Sequence, residues 1–188
     1  MRFIADVMLG RLARWLRALG FDTKRPTDSR DSELFRCCLA ENRVLLTRDR
    51  ELWRQAGQGR ALLIRSTALM EQLSQVLNEL NLRIERARLF SRCLKCNAEI
   101  EHLSSEQVRG KVPAYVFETH RTFHRCPVCD QIFWPGTHWQ RVLASLERGG
   151  FLPQVEKQHR AWYRKMCLEE DVLRNGSNRG TSNERENH

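Results

Sequence analysis

Two cysteine pairs, Cys93-Leu-Lys-Cys96 and Cys126-Pro-Val-Cys129, are the residues of this chain best suited to holding a metal. Each Cys-x-x-Cys turn aims two thiolates at one point, and two such turns complete a tetrahedral site. Four soft sulfur ligands with no open position describe a structural zinc, not a catalytic one. The alternative is two disulfides or a redox pair. Three further cysteines (Cys37, Cys38 and Cys167) argue against it. So does the N-terminus, Met1-Arg-Phe-Ile-Ala-Asp6, which places a carboxylate where a secretory signal needs an apolar stretch. The expected setting is cytoplasmic with reduced thiols, and any turnover must come from other residues.

Carboxylates supply the second candidate chemistry. Asp6 and Asp49 each stand just past an apolar run that reads as a strand. In an open parallel sheet, ligand sites form at the carboxyl ends of strands, so the two should converge on one edge. Asp28 and Asp31 precede the helix that leads to the Val44 strand, and could approach the same edge. Clustered carboxylates repel one another, and hard Mg²⁺ or Mn²⁺ relieves that repulsion. Such ions polarise a phosphodiester and generate hydroxide. The competing reading makes Asp6, Asp31 and Asp49 helix N-caps that accept backbone hydrogen bonds. Arg11, Arg14 and Arg17 recur down the first helix, and Arg48 and Arg50 bracket Asp49. Those arginines either meet a polyanion or form a solvated helix face.

The elements that must position these groups fall into two rhythms. Strands are expected at Phe3–Ala5, Phe21–Lys24, Val44–Thr47 and Ala61–Ile64. Helices are expected from Leu9 to Leu19, Ser32 to Asn42, Arg50 to Ala56 and Thr67 to Leu80. That alternation predicts a three-layer α/β domain with a parallel sheet over residues 1–82. A small β-rich zinc module with a following helix occupies residues 90–150, and residues 153–188 read as a polar helix and a disordered tail.

At these residues a family resemblance appears. The run from Phe3-Ile-Ala-Asp6 through Gly20-Phe-Asp22, followed by Val44-Leu-Leu-Thr-Arg-Asp49-Arg, resembles the Mut-seven C-terminal RNase domain family. The four cysteines and Phe133-Trp-Pro-Gly-Thr-His-Trp139 resemble its second half. The resemblance implies a PIN-like nuclease fold joined to a zinc ribbon, and metal-dependent ribonuclease activity. Asp6 and Asp49 match the family's acidic positions, with Asp31 as the third and Asp28 as a weaker fourth candidate. Asp130 departs from the pattern, because the knuckle there often carries Gly; a left-handed turn suits Asp less well, though Asp tolerates it.

Charge fits an RNA partner, tRNA and other structured RNAs included. The net charge is +9, and 27 of the 32 basic residues are arginine, the side chain that grips phosphate bidentately. No apolar run approaches the ~20 residues that span a bilayer, so no membrane partner is expected; oligomeric state is left open. His120, His124 and His138 could replace a thiolate, but four cysteines already close the site. Phe123, Trp134, Trp139 and Tyr115 could stack on bases, although a small module needs aromatics for its own core. Cys37 and Cys38 read as core thiols. The rival to a nuclease is a non-catalytic RNA- or ribosome-binding adaptor that keeps the PIN-like fold.

Overall fold

The computed structural model describes residues 1–26, 31–57 and 59–151; the side chains of Asp31 and His138 fall outside that description, as do Asp28, Cys167 and the expected tail. Four short runs form a parallel sheet: β1 (Arg2–Ala5), β2 (Asp22–Lys24), β3 (Val44–Thr47) and β4 (Ala61–Leu63). Their order is β2-β1-β3-β4. Ile4 lies opposite Lys24 on one side and Leu45 on the other. The two central strands are sealed on both faces, with Phe3, Ala5, Leu45 and Leu46 fully buried. Such strands must read as continuous apolar runs, as Phe3-Ile-Ala and Val-Leu-Leu do.

Helices cover both faces. α1 (Gly10–Ala18) follows a 3₁₀ turn at Val7–Leu9 and packs with α4 (Leu69–Glu79). α2 (Asp31–Ala40) and α3 (Arg50–Ala56) share a core with the sheet, in which Leu34, Cys38 and Leu52 pack with Ile4 and Leu45. Cys38 and its half-buried neighbour Cys37 are thus core thiols, and burial and the adjacent Cys37 push Cys38 up to about 11. Right-handed crossovers explain the layers: the connection from β1 to β2 runs opposite in direction to that from β2 to β3, so their helices take opposite faces. α1 ends where Gly20 adopts φ +87° and where any Cβ would overlap the Arg88 carbonyl.

A second sheet has the order β5-β6-β7, formed by β5 (Glu101–Leu103), β6 (Phe123–Arg125) and β7 (Ile132–Phe133). The chain divides into two compact units. One comprises Met1–Glu101 with His124–Ile132, and therefore holds the α/β layers and all four paired cysteines. The other comprises His102–Phe123 and, among the described residues, 133–151. Its described helices are α5 (Ser105–Val108), α6 (Ala114–Thr119) and α7 (Thr137–Arg148). α5 and α6 lie in a stretch that sequence alone read as β-rich. Local signals for them existed: Ser104 and Gln107 form a reciprocal capping box, and Pro113 stands just before α6. Phe123 and Val116 are fully buried in this unit, whereas Tyr115 is 66% exposed.

Candidate functional site

The strand order places a reversal between β1 and β3, since the chain moves to β2 on one side and to β4 on the other. Crevices beyond the carboxyl ends of strands at such a point are where open α/β sheets bind ligands. Asp6 follows β1 directly and Asp49 lies two residues beyond β3, so both stand at this edge. Asp6 is held by its own amide, which donates to the Leu46 carbonyl at 2.9 Å.

Thr47 joins the two acids. Its hydroxyl donates to Asp6 Oδ2 at 3.0 Å and accepts from the Asp49 amide at 3.0 Å. Thr47 belongs to no spacing pattern, and its one mark in the sequence is a hydroxyl closing an otherwise apolar strand. It is fully buried, and so must bond locally.

The two aspartates then diverge. Asp49 caps α3, its Oδ1 accepting from Glu51 N at 2.7 Å and Leu52 N at 3.1 Å. Asp6 caps nothing, since its side chain takes no bond from the turn that follows. Asp6 is 8% exposed, and its side-chain partner among the described residues is the neutral Thr47 hydroxyl. A nearly buried carboxylate with one neutral donor has room for a cation. Asp31 opens α2, with its side chain outside the described residues, as all of Asp28 is.

Four of the five arginines singled out from sequence stay accessible: Arg11, Arg14 and Arg50 are exposed and Arg48 is half-buried. Arg17 is placed differently. It is 6% exposed, its Nε donates to Thr23 O at 2.8 Å, and its Nη1 donates to Leu94 O at 3.0 Å and Lys95 O at 2.9 Å. Those bonds tie it to the protein's own backbone. The reason lies in helix geometry: a three-residue spacing falls short of a full turn by about 60° per step. By Arg17 the series has rotated from the solvent side to the packed side. Arg25, which the sequence reading did not single out, is exposed beyond β2, and a Cβ on Gly10 would come within 2.5 Å of its Nη1.

The cysteine pairs converge. One sulfur from each of Cys93, Cys96, Cys126 and Cys129 lies within 4.8 Å of the other three, the one such group of metal-ligating side chains among the described residues. Cys93 and Cys129 sulfurs are 3.6 Å apart, and Cys96 and Cys126 sulfurs 3.2 Å apart. These separations far exceed a disulfide bond of about 2.05 Å. They approach the spacing of sulfurs in a tetrahedron with metal–sulfur bonds of about 2.3 Å. The donor set can thus hold a metal such as zinc. Burial opposes ionisation of Cys126, yet backbone N–H groups of Cys129 and Val128 and the Cys96 thiol bring it down to about 7. Burial and the neighbouring sulfurs push Cys96 up to about 12. Four sulfurs crowded this closely make a donor set that a cation completes.

A buried polar network borders the first cysteine pair. Asn97 Oδ1 accepts from the Thr23 amide at 2.8 Å, and its Nδ2 donates to Asp22 Oδ1 at 2.6 Å. Asp22 also receives both Nη atoms of Arg43, at 2.7 and 3.1 Å. Burial acts to raise the Asp22 pKa, but the bonds from Arg43 and Asn97 outweigh it and hold the carboxyl below its ordinary 3.8.

Comparison with known proteins places this geometry in context. A profile of the Mut7-C RNAse domain matches residues 1–146. The human protein named exonuclease mut-7 homolog is 36% identical over 106 residues, covering 52% of this chain. The match takes in 12% of that human protein's length. Among the described residues no helix is long and apolar enough to cross a membrane.

Proposed function

The chain belongs to the Mut7-C RNAse domain family, and we propose that it is a metal-dependent ribonuclease that hydrolyses RNA phosphodiester bonds. The observation that carries this reading is the Asp6–Thr47–Asp49 linkage at the reversal point of a parallel sheet, with the Asp6 carboxylate nearly buried and unused as a cap.

In this reading Asp6 and Asp49 hold Mg²⁺ or Mn²⁺, with Asp31 as the third ligand and Asp28 a weaker candidate. Bound there, the ion would polarise the scissile phosphate and lower the pKa of an attacking water. Thr47 orients Asp6 by donating to Oδ2, and Oδ1 is the oxygen this reading gives to the ion. Asp49 spends Oδ1 on the α3 amides and keeps Oδ2 for the ion. Arg11, Arg14, Arg48 and Arg50 receive the RNA backbone and offset charge on the phosphate as it builds. The four cysteines hold a structural zinc that supports the fold and RNA binding. The compartment that suits reduced thiols is the cytoplasm.

The adaptor reading draws on one observation: half of the Asp49 carboxylate is occupied in capping, a role any non-catalytic α/β domain would retain. Labelled RNA incubated with purified protein and Mn²⁺ separates the two. Asn caps helices about as well as Asp, as Asp49 requires, and at position 6 its amide oxygen can still accept from the Thr47 hydroxyl, but it lacks the charge a metal needs. Asp6→Asn and Asp49→Asn should therefore fold normally, bind Mn²⁺ weakly and lose nearly all cleavage. Wild-type cutting rates in both variants would remove these residues from the site. A wild type that binds RNA but cuts none with either ion would establish the adaptor.

A further inference from the structure

Arg17 is a buried cation without an anionic partner in its hydrogen bonds. All three of its described acceptors are neutral carbonyls, those of Thr23, Leu94 and Lys95. Burial depresses its pKa, the nearby Arg25 charge depresses it further, and Cys93 and Cys96 act in the opposite sense. A buried guanidinium left among neutral groups is costly, so its countercharge should be close at hand.

The candidate is in the same few residues of chain. Leu94 and Lys95 are the two residues between Cys93 and Cys96, and one Nη1 bonds both of their carbonyls. Four thiolates around one divalent ion carry an excess of negative charge. Where that charge is desolvated, as at buried Cys93 and Cys126, a cation nearby is favourable. We propose that Arg17 is the charge partner and positioning residue of the four-cysteine metal centre, and that Arg17 and Asn97 together couple metal occupancy to the ordering of edge strand β2. This rests on reading the cysteines as a zinc site.

The coupling runs through covalent neighbours of the ligands, Asn97 directly and Leu94 and Lys95 by way of Arg17. Asn97 immediately follows Cys96 and sits at φ 73°, its amide donating to the Cys93 carbonyl at 2.9 Å. That turn aims its side chain at the Thr23 amide and Asp22 on β2. Arg17 meets the same strand at the Thr23 carbonyl. Thr23 therefore has its N–H bound by a side chain of the cysteine turn and its C=O bound by a side chain that the turn's carbonyls also hold. Metal that rigidifies the turn must stabilise β2, and by linkage an ordered β2 must tighten the metal.

Hydrogen exchange on the unaltered protein tests the coupling directly. Protection of the Thr23 amide should fall at least about tenfold when zinc is stripped by a chelator, with α3 amides changing far less. Arg17→Gln should lose about 10–100-fold in zinc affinity in competition with a chromophoric chelator, the usual range for groups that support metal ligands. Arg17→Lys, which keeps the charge but loses the fork geometry, should fall between. Cobalt in place of zinc should show an altered thiolate charge-transfer band in Arg17→Gln. Arg54→Gln on exposed α3 should behave as wild type in every assay. Unchanged Thr23 exchange on stripping would overturn the coupling, and this measurement stands even if Arg17→Gln fails to fold. Wild-type zinc affinity and cobalt spectrum in a folded Arg17→Gln would overturn the charge-partner role alone. A wild type that carries no zinc at all would instead overturn the underlying metal assignment.

Discussion

Cys93–Cys96 and Cys126–Cys129 make the same turn twice. In each, the first cysteine's amide donates to a carbonyl just past the turn, Cys93 to Ala98 at 2.8 Å and Cys126 to Gln131 at 3.0 Å. In each, the residue after the second cysteine is left-handed, Asn97 at φ 73° and Asp130 at φ 56°. Both of those residues return an amide bond to the first cysteine. Their surroundings differ sharply. Asn97 is buried and bonds Thr23 and Asp22, whereas the Asp130 side chain is 84% exposed and meets Arg125 across 3.6 Å. Val128 at the tip of the second turn is 72% exposed. Identical backbone chemistry thus serves two ends: the first turn is an anchor for the sheet edge, and the second contributes ligands from a solvated loop.

The strongest way to break the comparison is to remove a ligand. Cys93→Ser and Cys126→Ser should each abolish tight zinc binding, seen as a drop from one zinc per chain to none by elemental analysis. Limited proteolysis of the stripped variants should then cut the second turn first, because Asn97 and Arg17 still tether the first. Equal cleavage of both turns would show that the anchor has no strength without metal.

Asp22→Asn comes next. It deprives buried Arg43 of its bidentate partner, a loss of about 3 kcal/mol, at the low end for buried pairs because Glu41 and the Phe3 carbonyl remain. Asn97→Gly should cost about 2 kcal/mol: glycine suits the left-handed backbone but leaves the Thr23 amide and Asp22 each short of a bond. Both are measured by denaturant unfolding of zinc-loaded protein.

Acid should discriminate between the turns as well. Asp22 and Glu41 both have carboxyls held below their ordinary pKa values, Asp22 against burial by Arg43 and Asn97, Glu41 chiefly by Lys24 and Arg43. Their stabilisation is complete above the unfolded-state values and is lost as pH falls through the lower folded ones. The melting temperature should drop below pH 4, and Asp22→Asn should flatten that drop. The smallest expected effect is at Asp130→Gly, which relieves a left-handed aspartate and should be neutral or stabilising by about 0.5 kcal/mol. A clear loss there would give the second turn a role its exposure does not suggest.

Much of this protein followed from local patterning. Continuous apolar runs such as Phe3-Ile-Ala and Val44-Leu-Leu specify strands buried on both faces, and the alternating helices require a parallel sheet. The paired cysteines specify a metal-binding centre by spacing alone, because a Cys-x-x-Cys turn carries its geometry within four residues. Gly20 marks the end of α1 and Asp49 the start of α3, each through the chemistry of a helix terminus.

Tertiary structure decided what depends on residues distant in sequence. Asp6 and Asp49 both looked like caps, and only the pairing of β1 with β3 through Thr47 separates a capping carboxylate from a nearly buried one. Arg17 read as one of three arginines down the first helix that either meet a polyanion or form a solvated face. Its burial against Leu94 and Lys95, seventy-seven and seventy-eight residues away, follows from helical rotation and from where a later turn docks. Asn97 and Asp130 occupy equivalent positions in equivalent turns, and no local signal distinguishes them. What surrounds a turn is set by long-range packing, and packing partners are not encoded in the spacing of the residues they meet.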